Sequence, residues 1–249
     1  MLLLLDVGNT HIVFALWNGK KCCREKRLPT DGDTPQSVFE NAMTEVLSGA
    51  AVEGAVLSSV APRVDGKLCA AAEKVTGRKC LRVTYDMKMD MPLNVDEPPT
   101  IGADLIAGCV GAMRKYPLPL AVADLGTANT VMAVNQRGEF VGGIIAPGLK
   151  MQLSALGAGT SLLPDLEVAA PKKCIGANTA DCLESGVVYG TAAMLDGVLD
   201  RMETELGGEL TVVATGGLSG QVIPHCRRKI ALEPDLVPQG MAALFEMNK

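Results

Sequence analysis

Two Asp-x-Gly sequences in this chain have the residue types needed to hold a phosphate chain. Asp6 and Gly8 lie in DVGNT, and Asp124 and Gly126 lie in DLGTANT at a matching offset. Glycine lets backbone N–H groups approach a phosphate, small polar side chains add donors, and a strand-end carboxylate can hold a metal ion or its water shell. One copy alone would equally suit an ordinary tight turn. The second copy favours phosphate binding.

Each Asp-x-Gly sequence lies inside a predicted β-hairpin. An apolar run precedes it, a second apolar run follows, and a turn comes next, at Asn18-Gly19 in the first copy and at 135–138 in the second. The repeat predicts two related lobes, residues 1–117 and 118–249, whose hairpins face each other across a cleft. Phosphate would then be clamped from both sides, with cations offsetting the negative charge.

The rest of the chain predicts an α/β fold. Segments with helical apolar spacing alternate with short apolar strands, a pattern typical of sheets covered by helices. The predicted helices are 36–47, 67–75, 101–114 and 180–205, and the predicted strands between them are 54–58, 80–84 and 211–214.

The composition argues against several classes of function. Hydrophobic residues make up 48% of the 249 residues, enough for a sizeable core, but aromatic residues are only 3%, too few for a base-stacking surface. The net charge is −5 without a long basic run, so no nucleic-acid partner is expected. The leading leucine run is too short for a signal peptide, and no stretch predicts a membrane helix. Eight cysteines without a C-x-x-C pair, and only two histidines, indicate reduced thiols in a cytoplasmic protein rather than a zinc site.

Asp104 is the candidate general base. Gly102 precedes a predicted helix, so Asp104 would lie in its first turn, where the helix dipole stabilises an ionised carboxylate. A carboxylate near the phosphates could take the proton from a hydroxyl that attacks the γ-phosphate. An aspartate that only stabilises the helix is the simpler interpretation, and the sequence alone favours it.

Other segments rich in small residues are open to two interpretations. The segment 142–148 (GGIIAPG) predicts a strand bounded by flexible points, and its glycines allow either close ligand approach or a bulge. The segment 215–217 (TGG) ends a strand and would either border a nucleotide or form an ordinary loop. The segment 176–179 (GANT) is typical of a helix N-cap. His11 directly follows the first motif. It could act as a base, but its place at the start of a strand favours a structural role.

The chain resembles the type III pantothenate kinases, which belong to the superfamily of actin, heat-shock chaperone ATPases and sugar kinases. The resemblance covers essentially the whole chain and rests on an ordered set of short motifs. These are DVGNT at Asp6, SSVAP at Ser58, GAD at Gly102, DLGTANT at Asp124, GGIIAPG at Gly142, LLP at Leu162, IGANT at Ile175, SGVVYG at Ser185 and TGG at Thr215.

The resemblance implies a duplicated ribonuclease-H-like fold, usually a homodimer, that phosphorylates pantothenate with ATP in coenzyme A synthesis. It implies that Asp104 is the proton acceptor, that Asp124 holds a monovalent cation (potassium or ammonium), and that Asp6 is a candidate magnesium ligand. The implied ATP contacts are Asp6, Val7, Gly8, Asn9, Thr10, His11, Ile12, Val13 and Thr127, and the implied substrate contacts are Gly102, Ala103, Asp104, Leu105 and Thr179.

The chain departs from the family pattern at a few positions. Leu105 stands where the family has an arginine, and a leucine side chain cannot donate a hydrogen bond to substrate or phosphate. Asn129 and Met132 replace the usual Thr and Asp of the second hairpin, and an aromatic residue expected near Val95 is missing. Two alternatives therefore stay open beside a pantothenate kinase: a nucleotide-binding homologue with weakened catalysis, and a kinase for another small hydroxyl compound.

Overall fold

The computed structural model describes residues 1–158, 168–169 and 171–249. The chain divides into two compact units, one formed by Met1–Lys115 with Asp235–Lys249 and the other by Tyr116–Pro234. The division predicted from the sequence placed the last residues in the second lobe. They belong to the first unit because the C-terminal helix packs on a helix of that unit.

Strands and helices alternate along much of the chain. In order, the strands are β1 (Leu2–Val7), β2 (His11–Trp17), β3 (Cys22–Pro29), β4 (Gly54–Ser59), β5 (Cys80–Arg82), β6 (Leu120–Leu125), β7 (Ala128–Val134), β8 (Phe140–Pro147), β9 (Thr211–Thr215) and β10 (Ala231–Leu232). The helices are α1 (Gln36–Leu47), α2 (Pro62–Thr76), α3 (Ala103–Met113), α4 (Leu149–Ala158), α5 (Thr179–Leu206), α6 (Ser219–Val222) and α7 (Leu236–Asn248).

The first unit contains a five-stranded mixed sheet with the order β3-β2-β1-β4-β5. The strands β1, β2 and β3 form an antiparallel meander, and β4 and β5 run parallel to β1. Alternate residues of β1 (Leu3, Leu5 and Val7) pack into one core with side chains of α1 and α2. The helices α3 and α7 pack against each other and contact β4.

The second unit repeats this topology. Its sheet has the order β8-β7-β6-β9-β10, with an antiparallel meander from β6 to β8 and with β9 and β10 parallel to β6. The inward residues Ala121, Ala123 and Leu125 pack with the apolar side of α5 around Val188 and Leu195. The equal strand orders confirm the duplicated α/β fold that the repeat predicts. Across the part of the chain that is described, no helix has the length and hydropathy of a membrane span.

Candidate active site

The first Asp-x-Gly sequence forms the turn between β1 and β2. The last register pair is Val7 with Ile12, and the Gly8 N–H donates to the His11 carbonyl at 2.9 Å. Thr30, which follows β3, holds the turn from the side: its N–H donates to the Thr10 carbonyl at 2.9 Å and its hydroxyl to the Gly8 carbonyl at 2.8 Å. Asn9, Thr10 and His11 are exposed, so the turn presents a fixed backbone to solvent.

The second Asp-x-Gly sequence forms the corresponding turn between β6 and β7. Its last register pair is Leu125 with Asn129, and the Gly126 N–H donates to the Ala128 carbonyl at 3.1 Å. This turn, residues 126–128, is one residue shorter than the turn of residues 8–11 in the first hairpin. Thr127 is exposed at its tip, and its carbonyl accepts from the Gly148 N–H at 3.2 Å.

Both aspartates lie at the carboxyl end of a strand beside a parallel neighbour. Asp6 of β1 is in register with Ser58 of β4, and the Val60 N–H donates to the Val7 carbonyl at 2.9 Å. In the second unit Asp124 is in register with Thr215 of β9. There the Leu218 N–H donates to the Leu125 carbonyl at 3.1 Å. In both units, therefore, the aspartate lies near the end of its strand and beside a parallel strand. In both units, too, the segment after that parallel strand donates a hydrogen bond to the residue that follows the aspartate.

Two buried hydroxyl groups stand in register with these carboxylates. The Ser58 hydroxyl, beside Asp6, and the Thr130 hydroxyl, opposite Asp124 in the β6–β7 pair, make no hydrogen bond within the described residues. Orphaned buried hydroxyls are uncommon and call for a partner. Carboxylate and hydroxyl oxygens are the donors that magnesium and monovalent cations take, so both places fit a bound cation. Sequence reasoning assigned no role to Ser58, although a serine pair that ends an apolar strand was a signal.

Asp104 lies in the first turn of α3, as the sequence predicts. Its Oδ1 accepts from the Leu105 N–H at 2.8 Å, and burial raises the pKa of the carboxyl group above its usual range. A β-carbon on Gly102 would lie 2.4 Å from Asp104 Oδ1 and 3.4 Å from Val60 Cγ1. Val60 directly follows β4 and its N–H donates to the Val7 carbonyl, so the start of α3 lies near the carboxyl end of β4. Asp104 and the first Asp-x-Gly turn therefore belong to the same unit.

Asp124 is held against the loop that follows β9. Gly216 has a φ of +95°, a conformation that favours glycine, and a β-carbon there would lie 2.5 Å from Asp124 Oδ1 and from the Leu125 carbonyl oxygen. The segment 215–217, which the sequence left open between ligand approach and ordinary loop, therefore packs directly on the second turn. Gly148 packs on the same turn, where a β-carbon would lie 2.2 Å from the Thr127 carbonyl oxygen.

Thr179, the implied substrate contact of the second unit, is exposed as the first residue of α5. The preceding Asn178 caps this helix by accepting from the Asp181 N–H at 2.9 Å, which confirms the predicted N-cap. Gly176 lies close to the Cys182 backbone, so the GANT segment is folded back on the helix that it begins. The LLP motif at Leu162 lies outside the described residues.

The positions that depart from the family pattern have distinct environments. Leu105 is half-buried next to Asp104. The Asn129 side-chain amide is fully buried and donates to the Pro147 carbonyl at 3.2 Å. Met132 is also buried, at 5% exposure, inside β7. Asn129 and Met132 are therefore built into the core of the second unit, whereas the change at Leu105 lies next to the candidate base.

A cavity of about 420 Å³ lies elsewhere in the first unit. Met1, Leu2, Trp17 and Gln239 are among its lining residues. Leu2 and Trp17 pair at the far end of the β1–β2 hairpin from the turn at Gly8. This cavity is therefore distinct from the phosphate-binding candidate.

The duplicated mixed sheets give the chain an actin-like ATPase fold. A ROK hexokinase from Thermus thermophilus shares this fold, with a TM-score of 0.53 at 13% sequence identity over 96% of each chain. The chain belongs to the type III pantothenate kinase family, since that family's sequence model matches residues 2–201.

Relatives of this family match the whole chain. A type III pantothenate kinase from Moorella thermoacetica is 34% identical over 253 residues, which cover 100% of both sequences. Another from Acholeplasma laidlawii is 35% identical over 248 residues, covering 100% of this chain and 99% of the relative. The resemblance proposed from the ordered motifs is thereby confirmed.

Proposed function

We propose that this protein transfers the γ-phosphoryl group of ATP to the terminal hydroxyl of pantothenate, the first step of coenzyme A synthesis. The position of Asp104 supports the proposal, because its half-buried carboxylate lies at the start of α3, near Val60, in the unit that also contains the first Asp-x-Gly turn. Membership of the type III pantothenate kinase family supports pantothenate as the acceptor and does not favour another hydroxyl compound.

In this proposal Asp104 accepts the proton of the attacking hydroxyl. Burial raises the pKa of its carboxyl group, and a higher pKa makes a carboxylate a stronger base. The hydrogen bond from the Leu105 N–H keeps Oδ1 oriented at the start of α3. Transfer itself would depend mainly on positioning and on stabilisation of the phosphoryl charge.

The two turns would hold the nucleotide. The exposed residues 9–11 of the first turn and the exposed Thr127 of the second offer backbone and side-chain donors. Asp6 with the Ser58 hydroxyl would hold magnesium, and Asp124 with the Thr130 hydroxyl would hold potassium or ammonium. Such cations, when bound, neutralise the negative charge of the phosphates.

The acceptor would lie against residues 102–105, with Thr179 contributing from α5. Because Leu105 cannot donate a hydrogen bond, recognition of pantothenate would need another donor than the family's arginine. The homodimer and the cytoplasmic location expected from the sequence are parts of the same proposal. Sedimentation velocity and cell fractionation test those two points.

A phosphorylation assay with the purified protein tests the function. The mixture contains ATP, magnesium, potassium and pantothenate, and the expected product is 4'-phosphopantothenate, detected by mass spectrometry. Omitting pantothenate measures background ATP hydrolysis, and replacing potassium with sodium tests the monovalent cation. Absence of product from protein that circular dichroism shows to be folded would overturn the proposal.

A further inference from the structure

Thr30 holds the first Asp-x-Gly turn from outside the hairpin that forms it. It follows Pro29, the last residue of β3, and its N–H donates to the Thr10 carbonyl at 2.9 Å. Its hydroxyl donates to the Gly8 carbonyl at 2.8 Å. One half-buried residue therefore fixes two carbonyl groups of the turn, although neither Asp-x-Gly motif includes it.

The second unit has the same backbone contact without the hydroxyl. Gly148 follows Pro147, the last residue of β8, and its N–H donates to the Thr127 carbonyl at 3.2 Å. Gly148 occupies the position of Thr30, because in both units the preceding proline is in register with the first residue of the middle strand of the meander. A glycine has no side chain to donate. The hydroxyl bond is therefore an additional contact of the first unit, whose turn is one residue longer.

The hydrogen bond from Thr30 to Gly8 determines where the next N–H points. The peptide that joins Gly8 to Asn9 is trans, as peptides without proline almost always are, so its C=O and N–H groups lie in one plane and point in opposite directions. Because the Gly8 carbonyl is directed at the Thr30 hydroxyl, the Asn9 N–H is directed away from Thr30. Asn9 lies at the exposed tip of the turn, where a phosphate oxygen can approach this donor.

Helix α2 fixes the segment that carries Thr30. Arg63 Nη2 donates to the Thr30 carbonyl at 3.1 Å. Lys67, one helical turn further along α2, donates from Nζ to the Gly32 carbonyl at 2.7 Å and to the Thr34 carbonyl at 3.3 Å. A β-carbon on Gly32 would lie 3.3 Å from Arg63 Cδ, so the segment packs directly on the arginine side chain. Hydrogen bonds from charged donors are stronger than those between neutral groups, and residues 30–34 are therefore a fixed support for the turn.

We propose that Thr30 is a positioning residue for ATP, and that its hydroxyl keeps the Asn9 N–H directed at the phosphates. This inference rests on the proposed use of the first turn as a phosphate-binding site. Without the hydroxyl the Gly8–Asn9 peptide can rotate, and it must be reoriented each time that ATP binds. The cost of reorientation lowers the affinity for ATP. It leaves the rate of transfer from bound ATP nearly unchanged, because the same orientation is needed in the ground state and in the transition state.

Calorimetric titration of the full-length protein with magnesium and the β,γ-imido analogue of ATP tests this role without phosphoryl transfer. Thr30→Val removes the hydroxyl, resembles threonine in shape and keeps the backbone N–H. The Kd for the analogue should rise about three- to tenfold, the range expected for loss of one hydrogen bond. Thr30→Ser keeps a hydroxyl and should bind within about twofold of wild type. Thr30→Ala should match Thr30→Val and replaces it if circular dichroism shows that the valine variant is unfolded.

Thr44→Val is the matched control. The Thr44 hydroxyl also donates to a backbone carbonyl at 2.8 Å, that of Glu40 in α1, away from the turn. Its loss should leave the Kd for the analogue within about twofold of wild type. In the phosphorylation assay, Thr30→Val should raise the KM for ATP about three- to tenfold and keep kcat within about twofold of wild type.

The outcomes separate this role from the proposed function. Wild-type protein that binds the analogue but forms no 4'-phosphopantothenate would contradict the proposed function alone, and the calorimetric comparison would still decide the role of Thr30. That role is wrong if Thr30→Val binds as tightly as wild type, if Thr44→Val weakens binding equally, or if Thr30→Ser binds as weakly as Thr30→Val. Folded wild-type protein that binds no analogue would overturn both.

Discussion

Gly216 and Asp124 are packed so closely that a β-carbon on the glycine would fall 2.5 Å from Asp124 Oδ1. The glycine has a φ of +95° and lies directly after β9, the parallel neighbour of the strand that ends near Asp124. The backbone of the TGG segment thus forms one wall of the environment of the candidate cation ligand. Any side chain at position 216 would displace either this wall or the carboxylate.

Gly216→Ala should therefore impair nucleotide-dependent activity. The new methyl group overlaps Asp124 Oδ1 and the Leu125 backbone, and an alanine at this φ is strained. We expect kcat/KM to fall by about tenfold or more and the free energy of unfolding to fall by about 1–3 kcal/mol. The neighbouring Gly217→Ala is the matched control, because no atom lies within 4 Å of its added β-carbon. Equal kinetics for the two variants would contradict the proposed role of the Asp124 environment.

Asp104→Asn should abolish phosphorylation and leave the fold intact. Asparagine keeps an oxygen that can accept from the Leu105 N–H but cannot take a proton, so kcat should fall by about 10²–10⁴-fold. Asp86→Asn, on an exposed aspartate of the same unit, controls for loss of one negative charge and should retain full activity. Appreciable turnover by Asp104→Asn would assign the proton transfer to another group.

The same variant should not lower thermal stability. Burial raises the pKa of Asp104 in the folded state, so the folded protein holds this proton more tightly than the unfolded chain. This tighter proton binding stabilises the folded state below pH 3.8, the usual aspartate pKa. The stabilisation is lost as the pH rises from 3.8 through the raised pKa of Asp104 in the folded state. At neutral pH the ionised Asp104 carboxylate destabilises the folded state because it is partly removed from water. Asp104→Asn should therefore show an equal or higher Tm by calorimetry. A lower Tm at neutral pH would argue that the carboxylate has a stabilising partner.

Activity should fall at acid pH because a single group, the Asp104 carboxylate, becomes protonated. A base must be unprotonated, so kcat/KM should fall about tenfold per pH unit below the pKa of Asp104, with a midpoint above 3.8. The measurement is a pH–rate profile with circular dichroism at each pH to confirm folding. A profile that stays flat down to the pH of unfolding would exclude Asp104 as the group that titrates.

Local patterns in the sequence predicted much of the fold. The helix predicted at 36–47 matches α1, and the long helix predicted at 180–205 matches α5 within a residue at each end, because apolar spacing is clear in both. The helix predicted at 67–75 begins earlier, at Pro62, since proline is well accepted in the first turn of a helix. The sequence did not predict β3, whose residues are largely charged because it is an edge strand.

The candidate site was predicted only in part. Strand-end aspartates and glycine turns are local patterns, so Asp6, Asp124 and the two hairpins could be found from the sequence. The burial of Asp104 and the orphaned Ser58 hydroxyl depend on chain segments far apart in sequence, and no local pattern reports them. The packing of α7 on α3 is a tertiary contact of the same kind, and it explains why residues 235–249 belong to the first unit.

The close approach of α3 and α7 gives a last prediction. A β-carbon on Gly240 of α7 would lie 1.7 Å from the Ala107 carbonyl oxygen of α3, and one on Gly111 would lie 2.4 Å from the Leu236 carbonyl oxygen. Gly240→Ala must push the two helices apart and should destabilise the protein by about 3 kcal/mol, measured by urea unfolding. Gly66→Ala, at an open position of α2, should instead be neutral or stabilise by about 0.5–1 kcal/mol. Because α3 carries Asp104 at its first turn, Gly240→Ala should also lower kcat in the fraction that stays folded. An unchanged unfolding midpoint would show that the helices are less closely packed than described.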